Sequence, residues 1–387
     1  MTFRKIPYGR HHITDEDIQA VVETLKSDFL TQGPNVEVFE KRFAEYVDAK
    51  YAIAVSNGTA ALHLSAIALE VRKSDNVIVP PITFAASANC IRYCGGDVTF
   101  CDIDKNTYLL DLSALKQLLD SKPKGFFKGV IPVDFAGYPI HGEELRQIAD
   151  DYGLWIIEDA CHAPGAFFTD KNGVQQKIGN GKFAELTCFS FHPVKHIATG
   201  EGGMITTNSE ELYNRLLRLR THGITKDEHL MDEYHGRWYY EMQELGYNYR
   251  MTEFQAALGI SQLKRANEGL KRRQEIAQRY NEAFQNIKQI ETPKVQIGFF
   301  HASHLYVIQV DERKYLYEQL QKQNIFPQIH YIPVHLMPYY KQFGWKHGDM
   351  PIAEDFYEHC LSLPMYPTLT CEEQDYVINC TLQSLKK

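Results

Sequence analysis

The stretch Ser190-Phe-His-Pro-Val-Lys195-His-Ile-Ala-Thr-Gly-Glu-Gly-Gly203 decides how the rest of the chain is read. An apolar run, Leu186 to Phe191, leads into it, and a glycine-rich turn precedes a second short run, Met204 to Thr207. Short apolar runs bounded by Gly and Pro read as strands. Lys195 therefore falls between two strands, at the mouth of a sheet, and not on a solvated helix face. A lysine so placed can form a Schiff base with an aldehyde.

Upstream, the hydrophobic period alternates. Strand patterns at Tyr51–Val55, Asn76–Val79, Val98–Asp102, Val130–Phe135 and Leu154–Glu158 are separated by helical patterns at Thr59–Glu70, Ala85–Tyr93, Leu112–Leu119 and Gly142–Tyr152. Apolar strands alternating with helices predict a mostly parallel sheet covered on both faces, hence an α/β fold. Lys226 to Tyr249 is polar, aromatic and aperiodic, and reads as an excursion. A long helix is predicted from about Thr252 to Phe284, with a basic patch at Lys264–Arg273 that reads as a solvated face. Strand, helix and strand patterns at His304–Val310, Lys314–Gln323 and Gln328–Tyr331, then two helical patterns, predict a small α+β C-terminal domain. The division expected is 1–250 for a large domain with its N-terminal segment, and 251–387 for the linking helix and small domain.

A chain of 387 residues is long for one core, which also favours two lobes. A net charge of -8 argues against a nucleic-acid surface or a polybasic membrane patch. No apolar run is long enough for a membrane span, and Met1 to Thr14 lacks the apolar centre of a signal peptide. The eight cysteines form no C-x-x-C pair, so a structural metal site is not expected. A cytoplasmic protein with reduced thiols is expected.

Three further segments sit at the same predicted sheet edge. Ser56-Asn-Gly-Thr-Ala-Ala-Leu-His63 follows a strand and opens a helix. Free amides there, with the Thr59 hydroxyl, can hold a phosphate, although such a cluster alone also reads as an ordinary helix cap. Trp155-Ile-Ile-Glu-Asp159-Ala-Cys-His162 ends an apolar strand in a carboxylate. Asp159 can face a pyridinium nitrogen; its other readings are an N-cap or one of too few metal ligands. In Pro80-Pro-Ile-Thr-Phe84-Ala-Ala-Ser, Phe84 can stack on a planar cofactor or belong to the core. A phosphate cradle, an aromatic, a carboxylate, a serine and a lysine in that order are the parts pyridoxal phosphate needs.

With these residues in view, the chain resembles the DegT/DnrJ/StrS family of pyridoxal-phosphate-dependent sugar aminotransferases. The resemblance runs from about Ile6 to Leu385. It is carried by Leu30-Thr-Gln-Gly-Pro34, Val55-Ser-Asn-Gly-Thr-Ala-Ala-Leu-His63, Ile157-Glu-Asp-Ala160, Glu201-Gly-Gly203 and Leu245-Gly-Tyr-Asn-Tyr-Arg-Met-Thr252. It implies the aspartate aminotransferase (type I) fold, with Lys195 carrying the cofactor and Asp159 paired with its ring nitrogen. By the same resemblance Phe84 stacks on the ring, and Thr59, Ala60 and Ser190 hold the phosphate. His162 is placed near the phenolic oxygen, where many members have glutamine. Asn248 is expected to reach the cofactor of a neighbouring subunit, in a homodimer with shared sites.

Ser190–Lys195 and His330-Tyr-Ile-Pro-Val-His-Leu336 look most like the members serving pseudaminic acid biosynthesis. That likeness implies a UDP-linked 2-acetamido-4-keto-6-deoxyhexose as acceptor and L-glutamate as donor. Thr31, His192, Tyr331 and His335 are the candidate sugar contacts; turn or packing roles are the alternative for the last three. Tyr234-His-Gly-Arg-Trp-Tyr-Tyr240 matches no motif of the family. Two rival functions are a deoxysugar dehydratase, in which histidine replaces the lysine, and a regulator that keeps only the fold. Lys195 argues against the first, and the assembled set of site residues against the second.

Overall fold

The computed structural model describes residues 5–385, so the first residues of the Met1–Thr14 stretch lie outside it. Its centre is a seven-stranded sheet in the order Tyr51–Val55, Gly203–Thr207, Leu186–Ser190, Trp155–Asp159, Phe127–Val130, Asn76–Val79, Asp97–Phe100. Gly203–Thr207 runs antiparallel to both neighbours, and the remaining pairings are parallel. The strands are short and, apart from the edge strand Asp97–Phe100, almost wholly buried because helices cover both faces, as apolar runs without alternation require. Ligands of such sheets bind beyond the carboxyl ends of the strands.

Several predicted elements shift. The strand expected at Val130–Phe135 is found at Phe127–Val130. Pro132 lacks an N–H for the ladder, and only an isolated bridge joins Val133 to Asp159. The single long helix is two, Glu253–Lys264 and Ala266–Phe284, broken at Arg265. There the backbone leaves helical geometry while the guanidinium binds the His12 carbonyl and the buried Asp17 carboxylate. Gln328–Tyr331 is not a strand; Ile325–Phe326 is, and Gln328 makes only an isolated bridge to Ser362.

A second core gathers Ile276, Tyr280, Tyr306, Ile308, Leu316 and Val377 from the C-terminal part. Ile6 belongs to it as well, because Ile6–Pro7 pairs in parallel with Ile325–Phe326. Ile6 thus packs with the smaller core while Tyr8 packs against the large one, and a division near 250/251 stands as a proposal. No residue of 226–240 is buried, and the excursion contributes a single 3-10 turn, Glu228–Leu230, and a short strand, Glu241–Met242, against Ile224–Thr225. Among the described residues no helix is long and apolar enough to cross a membrane.

Candidate active site

Lys195 is carried by a loop whose ends are pinned by backbone hydrogen bonds. Phe191 N–H donates to Gly202 O at 2.8 Å, and Thr199 N–H to Phe191 O at 2.9 Å. Phe191 and Ile197 are both fully buried and anchor the loop on either side of the half-buried lysine. The glycines after it are required by close approach. A methyl group on Gly203 would lie 2.5 Å from Asn57 O, and one on Gly202 would lie 2.3 Å from Thr199 Oγ1.

Asp159 closes its strand opposite Cys188 and is 5% exposed. Its Oδ2 accepts the Ser87 hydroxyl at 2.6 Å, and its Oδ1 accepts the Cys161 N–H at 3.2 Å. Thr83 Oγ1 lies 2.6 Å from Ser87 Oγ, so a hydroxyl chain from the segment after the strand Asn76–Val79, two strands away, orients the carboxylate. Ser87 was legible only as the last residue of the Pro80–Ser87 motif and had no assigned role.

The helix Gly58–Ala68 begins beside Ser190. A methyl on Gly58 would meet Ser190 Cβ at 3.0 Å and Cys161 Sγ at 3.4 Å, so glycine lets the helix start this close without displacing either. Asn57 Oδ1 caps the helix by accepting the Ala60 N–H at 2.8 Å. That bond engages the Ala60 amide expected to hold phosphate and leaves those of Gly58 and Thr59 as the free donors of the first turn.

These parts line one cavity of about 730 Å³, a size suited to a small-molecule ligand. Thr59, Ala60, Phe84, Asp159, His162, Ser190, His192, Lys195 and Tyr331 all face it, as expected from the sequence. Phe84 is 63% exposed at the cavity wall and so is not a core residue. Thr31 and Asn248 are exposed elsewhere and do not line it. His335 is corrected: it is fully buried, with Nε2 2.9 Å from Glu354 Oε1, and has no surface left for a sugar. Tyr8, Tyr249, His304 and His330 line the cavity without having been singled out. Tyr249 lay inside the Leu245–Thr252 motif and His330 opened the His330–Leu336 motif; Tyr8, which meets His330 at 5.1 Å, lay in no motif.

Burial lowers the Lys195 ammonium from its ordinary range; the nearby Cys161 and Asp159 oppose this, and Arg273 adds to it. Arg273 is itself enclosed, donating to the carbonyls of Ser303, His304 and Met365, and burial pushes it down to about 10. His162 and His304 pack at 4.4 Å, and burial, with the Lys195 charge second, holds both well below the usual histidine range. The floor near the lysine is therefore lined by neutral imidazoles, and burial makes Lys195 less basic than a solvated lysine.

The residues fit pyridoxal phosphate. The cradle that a Gly58 side chain would fill suits its phosphate, and an oriented carboxylate and a lysine of depressed basicity share its cavity. On fold and site the protein is a pyridoxal-phosphate-dependent transferase.

Comparison with known proteins narrows this. The model of the DegT/DnrJ/EryC1/StrS aminotransferase family matches residues 11–382. The Bacillus subtilis spore coat polysaccharide biosynthesis protein SpsC is 42% identical, covering 98% of this chain and 97% of its own. The UDP-4-amino-4,6-dideoxy-N-acetyl-beta-L-altrosamine transaminase of Campylobacter jejuni (serotype O:2) is 34% identical over 99% of this chain and 98% of its own. Among solved structures, Helicobacter pylori PseC, an aminotransferase of pseudaminic acid biosynthesis, superposes with a TM-score of 0.89 at 29% identity, covering 99% and 100% of the two chains. The chain belongs to the DegT/DnrJ/EryC1/StrS aminotransferase family, and it is a sugar aminotransferase that uses pyridoxal phosphate.

Proposed function

We propose that the chain moves an amino group from L-glutamate to the 4-keto carbon of a nucleotide-linked 4-keto-6-deoxysugar, a UDP-2-acetamido sugar in particular. The observation that carries the transamination is Lys195, a lysine of lowered basicity in one cavity with the oriented Asp159. The sugar class is supported by the Campylobacter relative, whose name specifies a UDP-linked 4-amino-4,6-dideoxy sugar.

When bound, pyridoxal phosphate supplies an electron sink for the charge left at the donor's Cα. Gly58 and Thr59 amides and the Ser190 hydroxyl hold its phosphate, and Phe84 covers a ring face. Asp159 keeps the proton on the ring nitrogen. The Lys195 amine would be the base that takes the proton from the donor's Cα and passes it to C4′ of the cofactor. His192, exposed at the cavity rim with Glu201 in reach of its charge, is a candidate to orient the sugar.

The test is a panel of nucleotide-linked 4-keto sugars incubated with glutamate, the product read by mass and NMR. An amino group at C4 of a UDP-2-acetamido sugar is the expected product. Loss of a hydroxyl in place of amination would support the dehydratase instead.

The proposal includes a homodimer with shared sites. Asn248 is exposed and outside its own chain's cavity, which suits a contact across a two-fold axis. K195A and N248A proteins, each inactive, should regain activity when mixed under subunit exchange. Random pairing makes half the dimers mixed, each with one of two sites intact, so about a quarter of wild-type activity is expected. A mixture that stays inactive while the subunits demonstrably exchange contradicts site sharing. Eight free cysteines suit a reducing, cytoplasmic setting.

A further inference from the structure

The basic patch Lys264–Arg273 reads in the sequence as a solvated face, and Lys264 and Lys271 are indeed exposed. Arg265 and Arg272 are placed differently. With Arg10 and His12 they line a second cavity, of about 190 Å³. Lys195 belongs to the wall of this cavity and of the larger one, so the two spaces share that residue.

Positions 265, 268, 269 and 272 recur at the helical period, so one face of Ala266–Phe284, with the Arg265 that precedes it, forms a wall. Arg265 and Arg272 are separated by about 10 Å along the axis. At one end Arg265 Nη1 donates to His12 Nδ1 at 3.0 Å. A guanidinium can only donate, so the neutral His12 ring carries its proton on Nε2, as a further donor. At the other end Arg272 Nη2 donates to Leu369 O at 2.8 Å, and Arg10 lies over the Tyr366 ring at 5.3 Å. Asp17 pairs with Arg265 and Glu275 with Arg272. Arg10, exposed and donating to the Lys5 carbonyl at 3.3 Å, has no carboxylate partner among the described residues. Glu268 is the one carboxylate in the lining.

Gly269 lies between the two cationic ends. Alanine suits a helix better, and no neighbour forbids it: a methyl there would touch only Pro367 Cγ, at 3.8 Å. The missing side chain instead keeps the wall open, as the close approach of a ligand to the backbone requires.

We propose that this cavity binds a small dicarboxylate, with one carboxylate at Arg265 and His12, the other at Arg10 and Arg272, and the carbon chain over Gly269. Bound there, the ligand lies against Lys195 without entering the larger cavity. The choice among dicarboxylates rests on the functional reading above: L-glutamate and the keto acid it leaves are both five carbons long.

The test is calorimetry of the cofactor-loaded protein with glutarate, which has both carboxylates and no amine or keto group to react. R10Q and R272Q should each weaken binding about tenfold, the worth of one charge-assisted hydrogen bond. E268Q removes a like charge and should tighten it about threefold. G269L fills the space with a good helix former, so binding should be lost with no fall in melting temperature. Arg10 and Glu268 are exposed, so R10Q and E268Q decide the matter even where R272Q fails to fold. Wild-type affinity in R10Q, or no binding of millimolar glutarate to wild type, overturns the proposal. Butyrate or inorganic phosphate binding as tightly as glutarate overturns the two-ended site. 2-Oxoglutarate is then offered to the pyridoxal form and L-glutamate to the pyridoxamine form, with which neither reacts. The one whose binding R10Q weakens more is the occupant, the spent keto acid or the donor. A protein that aminates no sugar counts against the functional reading alone and leaves the glutarate result standing.

Discussion

Lys195→Ala is expected to lower turnover by about 10⁴-fold and to remove the visible absorbance of the cofactor-loaded protein. The two losses have one cause, the missing amine that both anchors the cofactor and moves the proton. A folding defect is not expected to contribute. The loop is held by Phe191, Ile197 and Thr199 through burial and backbone bonds that the lysine side chain does not make. The circular dichroism and melting temperature of cofactor-free K195A should therefore match wild type. A K195A protein that keeps the band and turns over would end the assignment of this lysine.

Asp159→Asn is the second large effect. A carboxylate about 4 Å from a pyridinium, at an effective dielectric near 20, is worth about 4 kcal/mol. That corresponds to about three pKa units on the ring nitrogen, and to about 10³-fold in rate if the ring must be cationic in the transition state. Asparagine keeps the shape, and its amide oxygen can still accept the Ser87 hydroxyl that now bonds Oδ2 at 2.6 Å. The loss should thus appear mainly in kcat, with cofactor still bound. A D159N enzyme within tenfold of wild type would show that the ring's charge does not limit the reaction.

Much of this site is legible in the sequence because its residues end apolar strands. Thr59, Phe84, Asp159 and Ser190 each follow a short apolar run, and the ends of neighbouring parallel strands form one edge. What is not legible depends on contacts between distant segments. His335 follows His330 by one short turn and looks equivalent, yet Glu354 on a later helix draws it into the interior. Ala60 stands in the phosphate motif, but the Asn57 cap has already engaged its amide. The break at Arg265 follows from Asp17, far away in the chain, and no period within 252–284 reveals it. His162 lines the cavity, but its bond to Tyr331 joins segments 169 residues apart.

The central claim, that Lys195 holds the cofactor of a sugar aminotransferase, is tested most directly by borohydride reduction of the loaded wild-type protein followed by peptide mapping. A single pyridoxyl group on the peptide carrying Lys195 is the predicted result. A modified lysine elsewhere, with the Lys195 peptide unlabelled, would contradict it.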